Sequence, residues 1–82
     1  MELRDEILQK IIERTALVFK KTPGELNENT NFTEDLKAKS VNMVQIITVL
    51  ESEYEVEITF MEAKRRKTIG ELAGYIAELC GA

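Results

Sequence analysis

Apolar residues recur at helical spacing in three separate segments of this chain, and this periodicity is what most constrains its fold. One face of the first segment consists of Leu3, Ile7, Ile11, Thr15 and Val18, with Leu8, Ile12 and Phe19 beside them. The turn sequence Thr22-Pro23-Gly24 should end that helix. The second segment extends from Ser40 to Tyr54, and its predicted core face is Met43, Val44, Ile47, Leu50 and Tyr54. The third segment carries Ile69, Leu72, Ala73, Ile76 and Cys80. The sequence therefore predicts an all-α fold.

Capping signals and one long polar stretch complete the predicted architecture. Thr59 and Glu62 have the spacing of a capping box, as do Thr68 and Glu71, so a short third helix and a fourth helix should begin after these threonines. Residues 22–39 are mostly polar, and three apolar residues should anchor them as an ordered loop: Leu26, Phe32 and Leu36. We expect a small four-helix bundle with three longer helices, one short third helix and a long loop after the first helix.

The composition excludes several classes of function. The chain, expected to form a single domain of residues 1–82, has no histidine and one cysteine, so His-dependent catalytic triads and His- or Cys-based metal sites are ruled out. We therefore expect neither enzyme activity nor a metal. The net charge of −4 disfavours nucleic acid as a partner, despite the basic run Lys64-Arg65-Arg66-Lys67.

The sequence also gives no reason to expect a membrane partner. Its apolar stretches fall well short of the roughly 20 residues that a membrane-spanning helix needs. The charged start Met1-Glu2-Leu3-Arg4-Asp5 is unlike a signal peptide. A cytoplasmic protein is the resulting expectation.

Ser40 stands where the polar loop meets the second helical segment. At that position its hydroxyl is expected to act as the N-cap of the helix and to accept a hydrogen bond from a free backbone N–H of the first turn. A helix N-terminus also favours negatively charged groups, so a phosphate ester on this serine would be well tolerated. An ordinary N-cap remains the alternative interpretation of this residue.

The chain resembles the acyl carrier proteins over nearly its whole length. The matching elements follow one another without a gap: Phe32-Thr33-Glu34-Asp35-Leu36, Ser40, Val44, Ile46-Ile47, Leu50-Glu51, Glu53-Tyr54, Glu57-Ile58, Glu62-Ala63, Thr68-Ile69-Gly70-Glu71-Leu72 and Tyr75-Ile76. The resemblance implies a four-helix carrier that holds acyl or aminoacyl groups as thioesters on a 4′-phosphopantetheine arm at Ser40. It also implies a monomer whose partners are a phosphopantetheinyl transferase and the acyl-transferring or condensing enzymes of fatty acid, lipid or secondary metabolite synthesis.

Two sets of residues follow from the same resemblance. The residues expected to face partner enzymes are Lys39, Val41, Asn42, Gln45 and Thr48. The residues expected to line a pocket for the acyl chain are Phe32, Val44, Ile47, Leu50, Ala63 and Arg66. The family usually has an acidic residue before the serine and an acidic outer face on the second helix, whereas this chain has Lys39 and uncharged residues there.

Arg66 is a further departure, because the family usually has an apolar residue at that place in the pocket. A buried arginine would need a partner, so its aliphatic stem should line the pocket while its head reaches water. This arrangement favours a cargo that is shorter or more polar than a long fatty acyl chain. Lys39 leaves one alternative function open, namely an unmodified helical protein–protein interaction module with the same fold.

Overall fold

Four helices form the framework of the computed structural model, which describes residues 2–81. Their bounds are Leu3–Phe19 for α1, Ser40–Tyr54 for α2, Phe60–Arg65 for α3 and Ile69–Leu79 for α4, with one turn of 3-10 helix at Pro23–Glu25. Among the described residues no strand forms, and the nearest approach to one is an isolated antiparallel bridge between Asn31 and Thr68. The all-α prediction with a short third helix and a long first loop is confirmed. The assignment of residues 1–82 to a single domain stays a prediction, and Met1 and Ala82 lie outside the described residues.

The helix ends follow the capping signals, with one difference. At α4 the capping box is complete, because the Thr68 hydroxyl accepts from the Glu71 N–H (3.1 Å) and the Glu71 carboxylate accepts from the Thr68 N–H (3.2 Å). At α3 only half of it forms. Thr59 accepts from the Glu62 N–H at 3.3 Å, whereas the Glu62 carboxylate pairs with Arg65.

One hydrophobic cluster joins the four helices. Helix α1 packs mainly against α4 and also against α2, and α3 packs against α2. The large side chains at the centre of the cluster are Ile7, Ile11, Ile46, Leu50, Ile69, Leu72 and Ile76. The three apolar residues of the loop, Leu26, Phe32 and Leu36, are buried in the same cluster, which confirms that they anchor the loop.

The predicted core face of α2 is wrong at two positions. Val44 is 47% exposed, while Ile46, which was left out of that face, is fully buried. Positions 43, 46, 47 and 50 form the i, i+3, i+4, i+7 stripe that α2 turns inward. The reason is that α2 has apolar side chains on several of its sides. The packing of neighbouring elements against α2 decides which of these side chains are buried.

The loop is held against the start of α4 by backbone hydrogen bonds. Carbonyl groups of Glu28 and Thr30 accept from the N–H groups of Gly70 (2.8 Å) and Ile69 (3.0 Å), which belong to the first turn of α4. The first N–H groups of a helix have no partner within it, so these loop carbonyls satisfy donors that would otherwise be left free. This contact requires a close approach of the two backbones.

Gly70 and Gly74 provide a matched test of that close approach. A Cβ on Gly70 would lie 2.9 Å from the Glu28 carbonyl oxygen, whereas the nearest atom to a Cβ on Gly74 would be Arg4 Nε at 3.9 Å. We expect Gly70→Ala to lower the free energy of unfolding by about 1–3 kcal/mol, because the loop must move. Gly74→Ala should raise it by about 0.5–1 kcal/mol through helix propensity. Urea unfolding of both variants checks this, and equal effects would contradict the close approach.

Candidate functional site

Ser40 is the first residue of α2, and its side chain is exposed. The N-cap is Lys39, whose backbone is extended (φ −104°, ψ 168°), and no side-chain cap hydrogen bond to the first turn forms there. Instead, Asn42 Oδ1 accepts from the Lys39 N–H at 2.9 Å. The expectation that the Ser40 hydroxyl caps the helix is therefore wrong, because Ser40 already has helical geometry. Its hydroxyl is not engaged in holding the helix end.

The loop that leads to Ser40 is held by a network around Asn31. The Asn31 side-chain oxygen accepts from the N–H groups of Thr33 and Glu34, both at 2.9 Å, and the Asn31 N–H donates to Asp35 at 2.8 Å. The chain then turns through Lys37, which has a positive φ of 54°. The following N–H, that of Ala38, donates to the Phe32 carbonyl at 2.8 Å. These bonds fix the direction in which the backbone enters α2.

A small cleft opens beside Ser40, between the loop, the start of α2 and helix α3. Its volume is about 90 Å³. Its apolar lining consists of Phe32, Ala38, Met43 and Phe60. Its cationic lining consists of Lys39, Lys64, Arg66 and Lys67, and Ser40 and Thr33 complete the wall. Within the described chain, no acidic residue lines this cleft.

The structure brings together only part of the expected acyl pocket. Phe32 and Arg66 line the cleft, as expected. Ile47, Leu50 and Ala63 are buried in the core and do not line it. Val44 lies on the other side of α2, in a shallow groove against α1. The prediction that Val44 lines the acyl pocket is therefore wrong, because α2 directs this residue toward α1 and not toward α3.

Six of the ten residues that line the cleft were not assigned to the site from the sequence: Thr33, Ala38, Met43, Phe60, Lys64 and Lys67. Met43 was predicted on the core face of α2, and it stands three residues after Ser40, a spacing at which residues share one face of a helix. Phe60 was not singled out, although it is the first residue of α3 and follows the capping Thr59. The signal for Met43 and Phe60 was their position in the first turn of a helix: Met43 in that of α2, which begins with Ser40, and Phe60 in that of α3.

Arg66 lies at the end of α3 and is half-buried. Its guanidinium carbon is 4.5 Å from the centre of the Tyr75 ring, which is a cation–π arrangement. The arginine therefore lines the cleft as the sequence suggested, but its head stacks on an aromatic ring of α4. This contact holds the positive charge in a defined position.

The residues expected to face partner enzymes lie mostly on the surface. Lys39, Val41, Gln45 and Thr48 are exposed, whereas Asn42 is half-buried and its side chain is occupied at the helix start. Gln45 and Thr48 border the shallow groove between α1 and α2, which is also lined by Arg14, Leu17, Val18, Val44 and Val49. Leu17 and Val44, 68% and 47% exposed, give this groove an apolar character.

Residues 2–81 lack two further features. No group of three or more His, Cys, Asp and Glu side chains is arranged to hold a metal ion there. None of the helices in that range combines the length and apolar character required to cross a membrane.

The fold and the site together define a class of protein: a small helical domain that presents one exposed serine at the start of a helix, beside a cleft. Residues 9–76 match the family described as "Phosphopantetheine attachment site". The chain is 40% identical over 72 residues to the acyl carrier protein of Lactobacillus acidophilus, covering 88% of this chain and 90% of that one. It is 33% identical over 76 residues to that of Chlamydia caviae, covering 93% and 94%. The chain belongs to the acyl carrier protein family.

Solved structures agree with this assignment. The acyl carrier protein of Enterococcus faecalis superposes with a TM-score of 0.78 at 27% identity, covering 95% of this chain and 99% of that one. The HMG-ACPI domain from the CurA module of Lyngbya majuscula superposes with a TM-score of 0.81 at 26% identity, covering 95% of this chain and 79% of that one. The four-helix fold is therefore of the acyl-carrier type, and the prosthetic group of this family is 4′-phosphopantetheine.

The residues present fit this group. Ser40 offers an exposed hydroxyl that the helix start does not use. Lys39 and the other three cations of the cleft stand beside it, where they can meet the negative charge of a phosphodiester. The start of α2 adds the positive end of a helix dipole.

Proposed function

We propose that Ser40 is the residue that carries 4′-phosphopantetheine and that this chain presents acyl or aminoacyl groups to the enzymes of fatty acid, lipid or secondary metabolite synthesis. The observation that carries this assignment is the exposed Ser40 side chain at the first residue of α2, whose hydroxyl takes no part in capping the helix. When attached, the arm supplies a terminal thiol that holds the cargo as a thioester. The proteins of this family are carriers, and we propose that this chain likewise has no catalytic activity of its own.

The chain's own part in modification is to present the serine rather than to activate it. The chain contains no histidine, and none of residues 2–81 that line the cleft is acidic, so we propose that the proton of the Ser40 hydroxyl passes to a group of the phosphopantetheinyl transferase. The hydroxyl oxygen then forms the bond to phosphorus, and the adenosine-containing part of coenzyme A leaves. The rigid backbone around Asn31 and Lys39 holds the serine still during this step.

Further partners are proposed on the surface around Ser40. Acyl-transferring and condensing enzymes should contact Val41 and the groove of α1 and α2, which is apolar and carries few charges. We propose a cytoplasmic monomer that binds neither nucleic acid nor a membrane, as expected for an acidic chain of this composition.

The direct test of the proposed function is the intact mass of the protein after incubation with coenzyme A and a broad-specificity phosphopantetheinyl transferase. We expect one arm per chain, located by peptide mapping on the peptide that contains Ser40. A mass that stays unchanged with every transferase tried would instead support the unmodified interaction module, the alternative that Lys39 leaves open.

Lys39→Asp should speed this modification about 2- to 10-fold at low salt, because it restores the acidic residue that family members usually present before the serine. The gain should shrink at physiological ionic strength, where exposed charges are screened over about 8 Å. Initial rates with a general transferase at two salt concentrations measure the effect.

Lys10→Asp is the matched control for Lys39→Asp. Lys10 pairs with Glu53 at 3.3 Å, and Glu53 stands thirteen residues beyond Ser40 on α2, about 20 Å along the helix axis. The same charge change at that distance should leave the rate nearly constant. An equal gain in both variants would show that net charge, and not the position of Lys39, controls the rate.

A further inference from the structure

The cleft beside Ser40 holds more positive charge than the arm requires. Four of the eleven Lys and Arg residues of a chain with net charge −4 line this one small space. A phosphodiester on Ser40 would carry a single negative charge. The ion pairs found in residues 2–81 join Lys10 to Glu53 and Arg65 to Glu62, so no carboxylate of that range lies within 4.0 Å of the charged groups that line the cleft. Positive charge therefore remains there for a second anionic group.

The backbone that carries two of these cations is fixed. The Lys67 carbonyl accepts from the Phe32 N–H at 2.9 Å, and the Lys67 N–H donates to the Glu71 carboxylate at 2.8 Å. The Arg66 N–H donates to the Ala63 carbonyl at 3.0 Å, and the Arg66 head stacks on Tyr75. Because the Arg66 head is already held on Tyr75, it loses little conformational freedom when it binds an anion.

The size of the cleft limits what can enter it. The cleft has a volume of about 90 Å³. Pockets for drug-sized ligands are about 300–1,000 Å³. The apolar part of the wall, Phe32, Met43 and Phe60, suits a few methylene groups, and the cations suit a negative charge at their end.

We propose that this cleft binds the free carboxylate at the far end of a short dicarboxylic acyl cargo. The inference rests on the proposed function, because the cargo reaches the cleft on a flexible arm that starts at Ser40, itself part of the cleft wall. Arg66 and Lys64 bind the carboxylate, and the short chain lies against the apolar wall. An uncharged acyl group of the same length would cover the half-buried Arg66 without giving it an anionic partner.

The test compares two loaded forms of the whole chain that differ only at the end of the cargo. A broad-specificity transferase attaches the arm from succinyl-coenzyme A or from butyryl-coenzyme A, and intact mass verifies each product. Because both forms contain the same phosphodiester, its contribution cancels in the comparison. At low salt we expect the succinyl form to unfold about 2–5 °C above the butyryl form, with a smaller difference at high salt. A butyryl form that is equally or more stable overturns the proposal.

Variants assign the effect to the cleft. Arg66→Gln and Lys64→Gln should each remove a large part of the difference between the succinyl and butyryl forms. Arg65→Gln makes the same change of charge next to them, but Arg65 is outside the cleft and pairs with Glu62, so the difference should persist. If Arg65→Gln removes the difference in unfolding temperature between the succinyl and butyryl forms as completely as Arg66→Gln does, the proposal is overturned.

An independent readout is the NMR resonance of the Arg66 side-chain Nε–H group. It should shift more in the succinyl form than in the butyryl form, and identical resonances in the two forms count against the proposal. A chain that accepts no arm at all fails at the mass measurement, before any unfolding experiment. That outcome rejects the proposed function of Ser40 itself and is thus distinct from a failed comparison of cargoes.

Discussion

Ser40→Ala is expected to abolish attachment of 4′-phosphopantetheine completely, because we propose that this hydroxyl is the only acceptor. The matched control is Ser52→Ala, since Ser52 is also an exposed serine on α2 but stands far from the cleft. Intact mass after incubation with coenzyme A and a transferase should show no modified protein for the first variant and full modification for the second. Modification of Ser40→Ala at any other residue would overturn the assignment.

The same variant also tests the geometry at the start of α2. Loss of an N-cap side chain costs about 1 kcal/mol in a typical helix. Because Lys39 is the N-cap here and Asn42 closes the helix start, Ser40→Ala should change the free energy of unfolding by less than about 0.5 kcal/mol. Asn42→Ala, which removes the bond to the Lys39 N–H, should cost more. If urea unfolding gives the opposite order, the serine rather than the asparagine holds the helix end.

Ile11→Ala should produce the largest loss of stability, about 2–5 kcal/mol, because Ile11 is fully buried at the centre of the core. A domain of this size has a total stability of only about 4–12 kcal/mol, so the variant should unfold at a temperature lower by about 10–30 °C. Leu17→Ala on the same helix is the control, since Leu17 is 68% exposed and its truncation should cost less than about 0.5 kcal/mol. Thermal and urea unfolding measure both, and similar losses would contradict the burial of α1 against α4.

We expect the two sides of α2 to bind different things, the cargo on one side and partner enzymes on the other. The side toward α3 carries the cationic cleft, while the side toward α1 carries the apolar groove with Leu17 and Val44. A charge variant in the cleft, such as Lys64→Gln, should therefore act on the cargo more than on the docking of partner enzymes. A polar substitution at Val44 should weaken the docking of partner enzymes more than it affects the cargo.

Local signals in the sequence determined the helices and their order. Apolar spacing defines α1, α2 and α4, and the threonines at positions 59 and 68 begin the last two helices, because capping is decided by residues three apart in the chain. The anchoring of the loop by Leu26, Phe32 and Leu36 was also predictable, since isolated apolar residues in a polar stretch of a small domain have one core to enter. The proposed attachment residue follows from the resemblance of the motifs around Ser40 to those of the acyl carrier proteins.

Tertiary structure decided what the sequence left open. Ile46 is buried and Val44 exposed because the positions of α1 and α3 select the covered stripe of a helix that is apolar on several sides. Lys39 is separated by 25 residues from the segment that carries Lys64, Arg66 and Lys67. These cations meet around Ser40 because tertiary contacts, among them the backbone bond from the Phe32 N–H to the Lys67 carbonyl, bring the loop against the segment after α3. Contacts between distant segments depend on packing in three dimensions, which no local pattern encodes. Three residues of the basic run, Lys64, Arg66 and Lys67, thus form part of the cleft wall.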